Sequence, residues 1–326
     1  MKTIRWGIIG PGTVAGRFAK GLLDSKGARI AAVASRSHER ASRFAGEFGV
    51  PRIYDDYRAL AADGEVDAVY IGTPHSCHRE HAILCLEAGR HVLCEKPFAI
   101  NASEAVDMIA VARSRGLALM EGMWMRFIPS IMEARRIVAE DGIGRIRRID
   151  ADFGFRADFD PAGRLFDPAL GGGALLDVGV YGVSLAHMLL GEPEIIEGTV
   201  RKGETGVDEE SATVLRYRGG SKTVLTVSIV RDTSCEALIS GTGGSIAIPG
   251  PWWRSDRIVM ERRGRGRETI ELPRTGYGFA HEAEHFMDLL RSGRTESEVM
   301  PLTGSIAVME TMDRIRSHWG LKYPME

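Results

Sequence analysis

The chain has 326 residues, which suggests two domains more readily than one. Its 44% hydrophobic and 26% charged residues are ordinary for a globular protein. Lys+Arg (42) nearly balances Asp+Glu (44), so the net charge of −2 carries no global signal for nucleic acid or an anionic membrane.

The first stretch, Arg5-Trp6-Gly7-Ile8-Ile9, reads as a strand that runs into Gly10-Pro11-Gly12-Thr13-Val14-Ala15-Gly16. This matches G-x-G-x-x-[G/A], in which Gly10 makes the tight turn and Gly12 lets backbone approach a pyrophosphate. A small residue at Ala15 lets helix pack on strand. The spacing predicts a helix over 13–23 whose first N–H groups, from Thr13 and Val14 onward, face the phosphates. Strand before and helix after supply the context that the motif needs.

The second strand, 29–34, is followed by Ser35-Arg36-Ser37-His38-Glu39-Arg40. A carboxylate at this tip would grip the ribose hydroxyls of NAD. A hydroxyl and a guanidinium stand there instead, with Arg40 one helical turn past Arg36. Such donors suit a 2′-phosphate, so NADP is expected over NAD. The third strand, 66–72, ends in Thr73-Pro74-His75-Ser76-Cys77-His78, a loop expected to border the nicotinamide. His78, His81 and Cys85 lack a fourth ligand, so no metal is expected. After a helix over 77–88, His91-Val92-Leu93-Cys94 is a short buried strand closed by Glu95-Lys96-Pro97. Lys96 therefore stands at the carboxyl edge of the sheet, where ligands bind, with Glu95 beside it. A helix over 103–115, capped by Ser103 and ended by Gly116, leads to a fifth strand, 117–121. The βαβα alternation predicts a doubly wound parallel sheet over 1–122.

From 123 to 326 the rhythm changes. Pro129 opens a helix, and 149–155 alternates strictly, as a strand with one buried face does. Strands over 213–217, 223–230 and 237–248 follow, which predicts an α+β domain with an open, mostly antiparallel sheet. Helices over 173–190, 281–292 and 303–319 are expected to cover one face. An uncovered face predicts a homo-oligomer, dimer or tetramer. The basic run Arg262 to Arg267 is expected as a solvated hairpin tip. The second cluster is Gly171-Gly172-Gly173-Ala174-Leu175-Leu176-Asp177-Val178-Gly179-Val180-Tyr181. The glycines allow a sharp entry into a helix, on which Asp177 and Tyr181, at i and i+4, share a face. His187 lies on the same helix among apolar neighbours and is expected as a core or rim residue.

Four cysteines without a CxxC pair make no disulfide framework, which fits a reducing cytoplasm. The N-terminus lacks the pattern of a signal peptide, and no apolar run approaches the roughly 20 residues of a membrane span.

In the Gly10 to Ala15 loop, Glu95-Lys96-Pro97 and Gly171-Gly172-Gly173 with Asp177 and Tyr181, taken in order, the chain resembles the glucose–fructose oxidoreductase / inositol dehydrogenase / MocA family over essentially its whole length. Within it, Glu121-Gly122-Met123-Trp124-Met125-Arg126-Phe127 and Leu176-Asp177-Val178-Gly179-Val180-Tyr181 resemble the dimeric dihydrodiol dehydrogenases. The resemblance implies that Lys96 is the catalytic Lys, with Asp177 and Tyr181 beside it. Many members, inositol dehydrogenases included, carry His at the position of Tyr181. The dihydrodiol branch carries Tyr and uses NADP.

The expected reaction is hydride transfer between nicotinamide and a carbinol carbon of a diol, sugar or cyclic polyol. Tyr181 would pass the hydroxyl proton, assisted by Lys96, with Asp177 orienting Lys96 or binding substrate. Trp124, Arg126, Phe153, Phe155 and Phe279 are the candidate substrate-binding residues. The alternatives are an aldose/ketose or anhydro-sugar reductase, and a nucleotide-binding sensor without enzymatic activity on the same fold.

Overall fold

Six parallel strands make the first sheet of the computed structural model, which describes residues 2–326. They are β1 (Ile4–Ile9), β2 (Ala28–Ala34), β3 (Arg52–Tyr54), β4 (Ala68–Ile71), β5 (His91–Glu95) and β6 (Leu119–Gly122). Their order is β3-β2-β1-β4-β5-β6, so the direction of winding reverses between β1 and β4. The crevice at the carboxyl ends of the strands there is the usual ligand position of such sheets. β1, β2, β4 and β5 are nearly continuous runs of buried apolar residues, as strands covered on both faces must be. Helices α1 (Thr13–Asp24), α2 (His38–Phe48), α3 (Tyr57–Ala62), α4 (His78–Glu87) and α5 (Ala102–Arg115) make the crossovers.

The cap of α5 is Asn101, whose side chain accepts from the Glu104 amide at 2.9 Å, rather than the expected Ser103. Ser103 lies inside the first turn, whereas only a residue in extended backbone just ahead of the helix can reach the free amides. Gly116 ends the helix at φ +63°, as expected. The edge strand β3 and helix α3 were not legible: three residues and six are too short for a period to show.

The second sheet has eight strands in the order β14-β13-β12-β11-β7-β10-β9-β8. These are β7 (Ile146–Gly154), β8 (Ile195–Lys202), β9 (Asp208–Arg216), β10 (Lys222–Ser228), β11 (Ala237–Gly241), β12 (Gly244–Ile248), β13 (Arg257–Arg262) and β14 (Gly266–Glu271). Every pair is antiparallel except β7 with β10. The stretch 237–248 is a hairpin of β11 and β12, not one strand, because the chain turns at Thr242-Gly243. Arg262 to Gly266 is the tip of the β13–β14 hairpin, as expected. α6 (Pro129–Ala139) and α7 (Val180–Leu190) lie against strands of this sheet.

A single cut after residue 122 does not describe the division of the chain. One compact unit takes the chain up to Trp124 together with Thr275–Ile306; the other takes Met125–Arg274 with Ala307–Glu326. Helix α8 (Phe279–Arg291) therefore belongs with the first unit, where it packs on α1. The division falls within α9 (Leu302–His318). Pro168–Leu190 is long and apolar enough to cross a membrane, which corrects the expectation that no such run exists. Most of its apolar stretch is buried, as in the core helix of a folded unit.

Candidate active site

In the first unit the strand tips around the switch point carry the expected nucleotide residues. Gly10 has φ +78°, and a Cβ there would meet Thr73 Cγ2 at 2.8 Å and the Gly72 backbone at 2.9 Å. Only glycine makes this turn without strain. Gly12 has φ −94° and nothing within 4 Å of where its Cβ would stand. It caps α1 with no side-chain hydrogen bond, and the first turn of α1 carries no acidic residue. Thr13 and Val14 thus open a helix whose amides are available to an anion, and the buried Ala15 packs the helix down. These features fit the pyrophosphate of a dinucleotide.

At the tip of β2, Ser35 is buried and its Oγ accepts from the Ser37 amide at 3.1 Å. Arg36 and Arg40 are exposed. No carboxylate precedes them at the tip; Glu39 pairs with Arg43 at 2.8 Å. The β4 tip places Thr73, Pro74 and His75 along one loop. His78 is fully buried, with Nδ1 2.9 Å from the Pro97 carbonyl and Nε2 3.0 Å from the Thr73 carbonyl. Burial pushes it down to about 4, against the pull of the two carbonyls. As a neutral ring with one N–H, His78 donates to one of these two carbonyls, between the β4 tip and the Lys96-Pro97 turn. His81 contacts Thr73 Oγ1 at 3.0 Å. Among the described residues no group of three or more His, Cys, Asp or Glu side chains is placed to hold a metal ion.

Lys96 is half-buried at the end of β5, and its amide donates to Glu95 Oε2 at 3.1 Å. Glu95 Oε1 accepts from Tyr70 Oη at 2.6 Å, and Tyr70 stacks on Phe18. Beneath this pair lies Glu282 of α8, 0% exposed, whose carboxyl oxygens find no hydrogen-bond partner among the described residues. Burial first, and then the charge of Glu95, push the Glu282 carboxyl far up, so it is held neutral. Nothing in the local sequence of α8 marks Glu282, because its burial is set by the strands it packs on. Trp124 and Phe279 stack 4.8 Å apart, with Tyr277 alongside and Arg17 over the Tyr277 ring.

In the second unit Asp177 and Tyr181 stand on one continuous helical run, Asp177 in its first, wider turn and Tyr181 in α7. Leu175–Gly179 is a π-helical turn that passes into α7, so the chain is locally wider than the α-helix assumed for the i, i+4 face. Such turns are frequent at functional sites. Both residues are 5% exposed. Asp177 Oδ1 accepts from Arg164 at 2.8 Å; Arg164 lies on the loop between β7 and the glycines. The Tyr181 ring is 5.3 Å from Phe153 and 6.1 Å from Trp253, and Phe153 stacks on Trp253 at 3.5 Å. Phe155 packs on the small core of Phe166, Ala174 and Val178 under the same turn. Arg126 is buried and donates from Nε to Ser184 Oγ at 2.8 Å, three residues along α7 from Tyr181. His187 meets Thr311 Oγ1 at 2.7 Å and is pushed down to about 4 by burial and nearby arginines, in line with a rim residue. Sequence reasoning missed Arg164 and Trp253. The pair Trp252-Trp253 after Gly250-Pro251 was the only signal for the latter.

The candidate substrate residues thus fall in two groups: Trp124 and Phe279 in the first unit, and Arg126, Phe153 and Phe155 in the second. Lys96 belongs to the first unit, and Asp177 and Tyr181 to the second.

A switch-point sheet with an open pyrophosphate turn, joined in one chain to a mostly antiparallel domain bearing a buried Asp–Tyr pair, defines a nucleotide-dependent oxidoreductase. The chain belongs to the GFO/IDH/MocA family: the model of an oxidoreductase family with an NAD-binding Rossmann fold matches residues 4–123, and that of the GFO/IDH/MocA C-terminal domain matches residues 131–247. The trans-1,2-dihydrobenzene-1,2-diol dehydrogenase of Homo sapiens is 36% identical over 332 residues, covering 99% of each chain. That of Mus musculus is 37% identical, again over 99% of each. Among solved structures, a 3-ketoreductase from Actinomadura kijaniata in complex with TDP-benzene and NADP superposes with a TM-score of 0.87 at 29% identity, over 97% of this chain and 98% of that one. An aldose–aldose oxidoreductase from Caulobacter crescentus shares the fold, with a TM-score of 0.89 at 24% identity over 98% and 99% of the chains.

Proposed function

We propose that this oxidoreductase uses NADP and moves hydride to or from a carbinol carbon of a diol, sugar or cyclic polyol, in the manner of a dihydrodiol dehydrogenase. The observation that carries the reading is the ring of Tyr181 against the stacked rings of Phe153 and Trp253, with Asp177 four residues before it and both residues 5% exposed. An aromatic wall with few polar groups is what a small cyclic substrate requires. NADP is supported by the β2 tip, where exposed Arg36 and Arg40 stand without a carboxylate at the strand end. It is supported also by the NADP bound to the A. kijaniata ketoreductase. The cofactor, when bound, supplies the hydride acceptor or donor.

The remaining work falls to this chain's own side chains. As hydride leaves the carbon, the alcohol must release its proton, and Tyr181 takes it as phenolate; in the reducing direction Tyr181 returns it. A free phenol titrates near ~10. The ammonium of Lys96 is assigned the task of favouring phenolate, which a cation within about 4–6 Å does. Asp177, fixed by Arg164, orients Lys96 or accepts a substrate hydroxyl. Separate structures of the A. kijaniata ketoreductase carry a Tyr→Phe or a Lys→Ala substitution, which supports attention to one Tyr and one Lys. That enzyme, a 3-ketoreductase, also favours a second reading, reduction of a keto group on a sugar.

We further propose a cytoplasmic homodimer. All four cysteines are free, and two are buried. The outer face of the second sheet carries Leu238, Val224 and Val214 in register around Asp150, a patch that a second copy can cover.

Fluorescence titration with NADPH and NADH, then turnover with a panel of dihydrodiols, polyols and sugars, tests the reading. Tighter NADPH binding and turnover of a vicinal diol or sugar are expected, with Lys96→Met keeping nucleotide affinity and losing most turnover. Preference for NADH removes the assignment of Arg36 and Arg40. Turnover undiminished in Lys96→Met removes the catalytic assignment.

A further inference from the structure

We propose that Asp208 is a positioning residue for the helical turn that carries Asp177 and Tyr181, anchoring its first amides as a carboxylate while the C-terminal segment clamps the glycine turn from its other side.

Asp208 opens β9 and is 0% exposed. Its Oδ2 accepts the amide of Leu175, the first residue of the π-helical turn, at 2.6 Å. The Ala174 amide also bears on the carboxylate. A buried anion thus sits at the positive end of the helix, two residues before Asp177 and six before Tyr181. The other oxygen, Oδ1, has no hydrogen-bond partner among the described residues. It occupies the place where a side chain on Gly173 would begin, and Gly173 has φ +117°. The third glycine of the triplet is therefore the one that lets Asp208 reach the helix.

The C-terminal segment meets the same turn. Tyr323 Oη donates to the Gly172 carbonyl at 2.6 Å. Arg316, 3% exposed, lies over the Tyr323 ring and is held by Asp313 and Glu326. Lys202, the partner of Asp208 across β8 and β9, donates to the Gly320 carbonyl at 3.1 Å. Elements far apart in the chain thus converge on one turn of the second unit.

The arrangement is sensitive to pH. Burial pushes the Asp208 carboxyl up to about 7, against the amides and Arg316, which favour the charged form. The charged and titratable groups that face it are Arg316 from α9, Tyr323 from the segment after α9 and Lys202 from β8. Asp313 and Glu326 stand behind Arg316; Asp177, with Arg164, lies on the turn itself. Above the titration the carboxylate holds the helix end; below it the neutral acid is a weaker acceptor and the anchor loosens.

The inference rests on Asp177 and Tyr181 serving the reaction, so the experiment carries one readout that does not need turnover. Hydrogen exchange of the 172–183 backbone, by mass spectrometry, and kcat and KM between pH 6 and pH 9 are measured for wild type, Asp208→Asn, Asp208→Ala and Tyr181→Phe. Asp208→Ala is expected to speed exchange in 174–181. It is also expected to lower kcat by about 10- to 100-fold with little change in KM or NADPH affinity, the signature of misplaced groups. Wild-type kcat is expected to fall as pH drops through about 7. Asp208→Asn folds, sits near the low-pH level throughout and lacks that limb. Wild-type exchange in Asp208→Ala, or an unchanged limb in Asp208→Asn, overturns the proposal. Full turnover in Tyr181→Phe instead removes the site assignment, and the exchange data still judge Asp208.

Discussion

Tyr181 and Glu282 show how differently two buried titratable residues can be read. Tyr181 was legible because its partner Asp177 is near it in sequence and a glycine triplet announces the turn. If it moves the proton, Tyr181→Phe is expected to lower kcat by about 10²- to 10⁴-fold, the usual worth of such a group, with NADPH affinity unchanged. Steady-state kinetics beside a fluorescence titration checks both halves of that statement. Glu282 was not legible: on its own helix it is one Glu among several charged residues, and only the packing of α8 buries it. Its consequence is thermodynamic. A carboxyl held above its unfolded value of about 4.3 binds more protons folded than unfolded, so it costs stability as pH rises past that value. Glutamine cannot titrate, although its amide is as poorly partnered at every pH. The Tm of Glu282→Gln minus that of wild type is therefore expected to increase from about pH 5 to about pH 8, as thermal melts across that range would show. A flat difference would mean that the carboxyl titrates normally.

At the scale of elements, the Gly10–Gly12 turn separates two uses of glycine. Gly10 is required by conformation and by crowding, so Gly10→Ala is expected to destabilise the fold by about 1–3 kcal/mol and to impair cofactor binding as well. Gly12 has an ordinary φ and empty space around it. Gly12→Ala is expected to leave the Tm of the cofactor-free protein within about 1–2 °C of wild type while weakening NADPH by more than about tenfold, since the methyl stands where a pyrophosphate approaches. A normal NADPH affinity in that variant would contradict the assignment of the turn. The helical elements were legible where glycines or a proline marked their start, as in α1, α6 and α7. Their fine winding was not. The π-helical turn at Leu175–Gly179 starts where Asp208 and Tyr323 meet the end of the glycine triplet, contacts that no local pattern in 173–181 encodes.

On the scale of the whole molecule, the second sheet poses the question of assembly. Leu238 is 38% exposed on β11, in one register row with Asp150 of β7, Val224 of β10 and Val214 of β9. Placing a charge there, as in Leu238→Glu, is expected to convert a dimer to a monomer in size-exclusion chromatography with light scattering; a wild-type protein that elutes as a monomer would refute the dimer. The sequence by itself determined the doubly wound first sheet, the open pyrophosphate turn, Lys96 at a strand tip, and Asp177 with Tyr181. All of these are local: a turn residue, a period or a spacing of four is written in consecutive positions. Only the tertiary structure decided that residues 275–306 join the first unit, that Glu282 is buried near Glu95, that Arg164 grips Asp177, and that Asp208 fills the space Gly173 leaves. Each of those pairs segments far apart in the chain, and such a contact is specified by the packing of whole elements rather than by any one stretch of residues.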